Sequence, residues 1–172
     1  MRTIETKVYQ FNELNDEAKE RAIEKCRYFQ VEGDWWEHTY EDAKRIGLKL
    51  TSFDLDRNRH AKGEFLLSAV EVAQNILNEH GETCETYKTA SNFLAEHEPV
   101  FAAYMDEESE HYESPEKEEE LIELEEEFLK SLLEDYSILL QDEYEYLTSD
   151  ESVIEMIIGN SYEFTEEGEI YF

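Results

Sequence analysis

The sequence predicts an α+β fold: a small antiparallel sheet of about five strands, with hairpins in the middle and at the C-terminus, packed by five or six helices. Three observations carry this. Apolar residues recur at helical spacing through separate stretches, most with a recognisable polar start. Short strand-like runs lie at the beginning, middle and end of the chain. With 172 residues, 40% of them hydrophobic, and nine Phe, eleven Tyr and two Trp, the chain can bury a sizeable core despite its formal charge of −30. Residues 1–172 are therefore expected to form a single acidic domain.

Taken in order, residues 3–11 alternate Ile4, Thr6, Val8 and Gln10 with Glu5, Lys7, Tyr9 and Phe11, the period of a strand. Asn15 then caps a helix whose buried stripe is Ala18, Ala22, Ile23, Cys26 and Phe29, with Gly33 closing the segment. Asp34 opens a second helix with Trp36, Tyr40, Ala43 and Ile46 on one face and Gly47 as its terminal glycine. Adjacent Trp35 and Trp36 cannot both point inward from one helix, so one is expected to pack and the other to sit at a rim or against a partner.

Residues 48–56 and 61–67 read as two strands joined by the polar turn Arg57-Asn58-Arg59-His60. Ser68 starts a third helix, with Val70, Ala73, Ile76 and Leu77 inward and Gly81 at its end. A fourth spans roughly 83–98, where Pro99 either kinks it or breaks it before 100–105. Residues 106–114 (DEESEHYES) have the composition of a linker, and Ser114-Pro115 makes a cap and first-turn pair for a helix over 115–147. A short helix follows from 148–150 to Gly159, and two short runs around Glu167-Gly168 read as a closing hairpin.

The helix over 115–147 is the most unusual stretch. Between Glu116 and Glu145 it carries thirteen carboxylates against Lys117 and Lys130. At 1.5 Å per residue it would be about 45–50 Å long, so its acids average one per roughly 3.5 Å, close to the ~3.4 Å per phosphate of one DNA strand. Leu121, Leu124, Phe128, Leu132 and Leu139, with Ile122, Leu129, Leu133, Tyr136, Leu140, Tyr144 and Leu147, form a wide apolar face. Glu119, Glu123, Glu126, Glu127, Glu134, Gln141 and Glu145 are left on the far side.

Charge is unevenly placed: residues 1–105 hold 20 acids and 13 bases, residues 106–172 hold 25 acids and 2 bases. Such a field repels nucleic acid and anionic membranes and attracts basic proteins and divalent cations. Direct binding of DNA or RNA is therefore not expected. Cys26 and Cys84 have no metal-ligand spacing and are too few for a disulfide scaffold, so both are read as buried free thiols. With no signal-like N-terminus and no long apolar run, a cytoplasmic protein without a membrane segment is expected.

The strongest catalytic candidate is Asp54-x-Asp56 at a strand end, which could hold Mg²⁺ for phosphoryl transfer with Glu64 as a third ligand. Surface ion pairs to Arg57, Arg59 and Lys62 are the favoured reading of those residues. A calcium loop is excluded because Arg59 stands where the turn glycine is needed. His38, His60, His80, His97 and His111 are scattered, and His38 with Asp42 at i, i+4 reads as a plain helical pair. No nucleophile elbow, phosphate-binding loop or dinucleotide fingerprint occurs. Neither a catalytic residue, a metal site nor a cofactor is assigned, and the chain is not expected to be an enzyme.

The expected interaction residues are Glu119, Glu123, Glu126, Glu127, Glu134 and Glu145 of the long helix, with Asp106, Glu107, Glu108, Glu110 and Tyr112 before it. These carboxylates have two readings: a solvated face kept for solubility, or groups that meet the Lys and Arg of a basic cleft that normally neutralises phosphates, with interleaved tyrosines as apolar anchors. Exposed aromatics would also allow a homodimer.

The segments ETKVYQFNELNDEAKERA, DWWEHTYEDAKRIGLKLTSFDLDR, KGEF, HGETCETYKTA, EEEFLKSLLEDYSILLQDEYEYLTSDE and YEFTEEGEIY give the chain, over nearly its whole length, a further character. It resembles a family of small acidic proteins carried by tailed phages and prophages, often labelled antitoxin-like and otherwise without assigned function. The resemblance implies a phage accessory protein acting on a host or rival system in the host cytoplasm. The leading expectation is an inhibitory, DNA-mimic-like binding protein that occupies the basic cleft of a host defence protein such as a nuclease or CRISPR effector, an anti-CRISPR among the forms this could take. The alternative is an antitoxin masking a basic toxin, and the third is the Asp54/Asp56 phosphoryl-transfer enzyme.

Overall fold

The computed structural model describes residues 4–171. In chain order the elements are β1 (Tyr9–Gln10), a 3-10 turn (Phe11–Glu13), α1 (Asp16–Cys26), a second 3-10 turn (Phe29–Val31), α2 (Glu37–Ile46), β2 (Leu48–Asp54), β3 (His60–Phe65), α3 (Ala69–Glu79), α4 (Glu85–Met105), α5 (Pro115–Leu147), α6 (Asp150–Gly159), β4 (Glu163–Phe164) and β5 (Ile170–Tyr171). The fold is α+β, with six α-helices and small antiparallel sheets among the described residues. The five strands do not share one sheet, as expected from sequence, but divide into β1-β4-β5 and β2-β3. Two compact units result: residues 1–35 with 142–172, and residues 36–141.

The first unit buries Phe11, Leu14, Ala18, Ala22, Ile23 and Cys26 against Val153, Ile157 and Phe164. α1 starts where Asn15 Oδ1 accepts the Ala18 amide at 2.9 Å, satisfying one of the orphan donors of its first turn. The helix stops at Cys26, well before Gly33, and Phe29 lies in the 3-10 turn beyond it. Arg27 donates to the Thr148 carbonyl at 2.8 Å and pairs with Asp150, also at 2.8 Å, so the entry to α6 is tied to the end of α1. The expected first strand is reduced to Tyr9–Gln10, with Ile4 87% exposed; Thr3 lies outside the described residues. Burial pushes the Cys26 thiol up to about 11, as for a packed apolar residue.

In the second unit Ala43, Ile46, Leu48, Leu50, Val72, Ala73, Ile76, Phe93, Phe128, Leu132 and Tyr136 form the core. α2 begins later than Asp34, after both tryptophans, and ends on Gly47 at φ 96°, a conformation that disfavours a side chain. Because neither tryptophan is on a helix face, the in-or-out expectation fails. Both are half-buried, Trp35 against Tyr144 at 5.6 Å and, in the other unit, Trp36 against Phe53 at 5.7 Å. β2 and β3 run antiparallel with Leu48 opposite Phe65 and Asp54 opposite His60. Gly63 permits the close approach of β2, since a Cβ there would stand 2.5 Å from the Lys49 carbonyl oxygen.

α3 opens with a reciprocal cap: Ser68 Oγ accepts the Glu71 amide at 3.3 Å and Glu71 Oε2 accepts the Ser68 amide at 3.1 Å. Ser68→Ala is expected to lower stability by about 1 kcal/mol in urea unfolding followed by far-UV circular dichroism, with Ser68→Asp near wild type. α4 continues through Pro99 to Met105 rather than breaking there. Cys84 precedes α4 on the surface, against the expectation that it is buried. No described helix is long and apolar enough to cross a membrane.

Candidate interaction surface

α5 sets the surface. Ser114 Oγ accepts the Lys117 amide at 3.3 Å, Pro115 takes the first helical position, and Glu116 and Glu118 lie in the first turn where the helix dipole favours them. Phe128, Leu132, Tyr136 and Leu140 step every fourth residue along one side and are buried. The buried stripe is narrower than the apolar pattern implies, because Ile122 and Leu139 are 51% and 45% exposed. At about 100° per residue, Glu119 and Glu126 fall roughly opposite Phe128.

Glu119, Glu123, Glu126, Glu127 and Glu134 are exposed on the second unit, as are Asp106, Glu107, Glu108, Glu110 and Tyr112. Glu145 is exposed on the first unit. Several of these acids are met from within the chain, Glu110 by His111 Nε2 at 3.6 Å among them. Lys130 approaches Glu127 at 3.9 Å, and Arg59 pairs with Glu134 at 2.6 Å while also donating to Gln141 Oε1 and Ser137 Oγ. Lys117 is taken up by Glu120 at 2.6 Å. Glu119, Glu123 and Glu126 make no ion pair among the described residues.

Residues 106–114, linker-like in composition, form consecutive hydrogen-bonded turns. Asp106 Oδ1 accepts the Glu108 amide at 3.0 Å, Ser109 Oγ accepts the His111 amide at 3.1 Å, and the Glu113 amide returns to the Tyr104 carbonyl at 2.9 Å. The Glu113 carboxylate pushes the Tyr112 hydroxyl pKa up.

The Asp54/Asp56 arrangement does not assemble as a ligand set. Asp54 Oδ1 accepts the Asp56 amide at 2.8 Å, forming a local turn, while Glu64 sits opposite Lys49, five residues or about 17 Å along β2. The expected ion pairs to these aspartates are also absent from the described contacts, because Arg59 reaches α5 instead. No group of three or more His, Cys, Asp or Glu among the described residues could hold a metal ion. Comparison with protein-family models, curated proteins and solved structures finds no match.

One polar cluster was not foreseen. Tyr136, wholly buried, donates to Asp42 Oδ2 at 2.9 Å; Arg45 donates to Oδ1 at 2.8 Å; and His80 Nε2 lies 3.3 Å from Oδ2, off the hydrogen-bonding direction. His80 Nδ1 is 2.6 Å from Thr86 Oγ1. The His80 ring, then Arg45 and Tyr136, hold the Asp42 carboxyl well below the usual carboxylate range against the burial that would raise it. Burial, reinforced by Asp42, pushes the Tyr136 phenol far up. A hydroxyl so enclosed serves the core, joining α2 and α5 beside α3.

Proposed function

We propose that this chain is an inhibitory binding protein whose acidic α5 face occupies a basic, nucleic-acid-binding cleft on another protein, in the phage anti-defence setting that its resemblance implies. The observation that carries the reading is that Glu119, Glu123 and Glu126 are exposed on one helix and make no ion pair among the described residues. A helix built only for stability would place Lys or Arg four residues from such acids, each pair recovering about 0.2–0.5 kcal/mol. Lys130, four residues after Glu126, approaches Glu127 instead, and Glu119 and Glu123 have no base four residues away, so these carboxylates remain available to Lys and Arg that otherwise meet phosphates.

The test is competition. A target captured from host lysate at about 50 mM salt should be released by duplex DNA or RNA and held less firmly at about 200 mM. The triple variant Glu123→Lys, Glu126→Lys, Glu127→Lys should reduce capture roughly a hundredfold or more while remaining folded. Full biological effect from that variant would overturn the proposal. Rescue of growth from one co-encoded toxin, without competition by nucleic acid, would select the antitoxin reading instead.

A further inference from the structure

A groove of about 610 Å³ opens in the second unit between α3, α4 and α5. Val70, Leu94, Phe101 and Leu121 give it apolar walls, and Glu98 and Glu125 stand among them. His97 is nearly buried between Phe93 and Phe101, with ring centroids at 5.1 and 5.7 Å, and its Nε2 is 3.6 Å from Glu125. Glu98 has no ion pair among the described residues. On α4 the line Leu94, Glu98, Phe101, Met105 advances by three or four residues, so it follows one face for about 16 Å, or three helical turns. Phe101 and Met105 are 47% and 53% exposed along it.

Building on the acidic-face reading, we infer that this groove receives a basic amphipathic helix of the partner, its apolar side chains on Phe101 and Leu121 and its Lys or Arg on Glu98 and Glu125. Charge decides the occupant. A second copy of a chain carrying −30 is repelled, and a neutral apolar ligand leaves Glu98 without a counter-charge. An apolar stripe flanked by cations satisfies both the walls and the carboxylates, with a three-turn span that suits helix-in-groove docking. The acids of α5 would then supply attraction and the groove the anchor.

Labelled 15-residue peptides read by anisotropy against the full chain test this. One carries Leu at helical spacing with Lys elsewhere; the other has the same composition scrambled. The patterned peptide should bind roughly tenfold or more tightly than the scrambled one at about 200 mM salt. Phe101→Ser on α4 and Leu121→Ser on α5, each shown folded by circular dichroism, should both remove that advantage. Glu98→Lys with Glu125→Lys should weaken the patterned peptide chiefly at low salt.

Equal binding of the two peptides, no binding by either, or an undiminished advantage in both wall variants overturns the groove proposal. The acidic-face reading is judged separately: if the scrambled peptide binds and the triple α5 reversal abolishes that binding, the carboxylates act without the groove. A dimer in sedimentation that Phe101→Ser dissolves would give the groove to a second copy and overturn the inference.

Discussion

Asp42→Ala is expected to destabilise the second unit by about 3 kcal/mol at pH 7, because it leaves the Tyr136 hydroxyl buried without its acceptor and removes the counter-charge beside Arg45 and His80. Tyr136→Phe removes only the donor and keeps the ring, so its loss should be smaller, about 1.5 kcal/mol. The two changes share one hydrogen bond, and a double-mutant cycle should return a coupling of about 1 kcal/mol or more. Additive losses would show that the Asp42–Tyr136 contact carries no coupling.

The same residue fixes a pH dependence. The folded Asp42 carboxyl lies below its unfolded value of about 3.9, so its contribution is complete above that value and is lost as pH falls towards the folded pKa. Asp135 has the opposite sign: burial raises its carboxyl, and Thr89 Oγ1 at 2.6 Å offsets this only in part. The difference in unfolding free energy between wild type and Asp42→Asn isolates the first effect. It should shrink as pH falls below about 4; a difference that grew over that range would refute the assignment.

Gly168→Ala should cost about 3 kcal/mol in the first unit. Gly168 has φ 83°, and a Cβ there collides with the carbonyl oxygen of Ala18 in α1, so the strained backbone and the overlap add. Backbone cannot swing aside as a flexible side chain would, and the β4–β5 turn must lift from the helix. Amides of α1 and β4 should lose hydrogen-exchange protection, while those of α3 keep theirs. Gly33→Ala is the control, with no atom within 4 Å and no positive φ, and should be neutral or slightly stabilising. Wild-type protection in Gly168→Ala would mean that the turn does not rest on α1.

What could be read from the sequence was local. Asn15, Ser68, Ser114, Pro115 and Gly47 act within a few residues of themselves, and each does what its chemistry predicts at a helix end. The exposure of Glu119, Glu123 and Glu126 likewise followed from helical period alone. Pairings across the chain were not legible. Tyr136 and Asp42 are 94 residues apart and Arg59 and Glu134 are 75 apart, and neither sequence neighbourhood marks its partner. The division of five strands into two sheets is of the same kind, since alternation specifies a strand and not its neighbour. Ile122 and Leu139 show the limit of a periodic stripe, which says which side is apolar and not how much of it another element covers.

The first unit is assembled from two stretches of chain with the whole of the second between them. On a ribosome adding about 5–20 residues per second, Phe11, Leu14 and Ile23 leave the exit tunnel about 5–20 s before Val153, Ile157 and Phe164 exist to cover them. The nascent N-terminal segment must stay dispersed through that delay. Charged Asp16, Glu17, Lys19, Glu20 and Arg21, set among its apolar positions, help to keep it so until the final strands arrive.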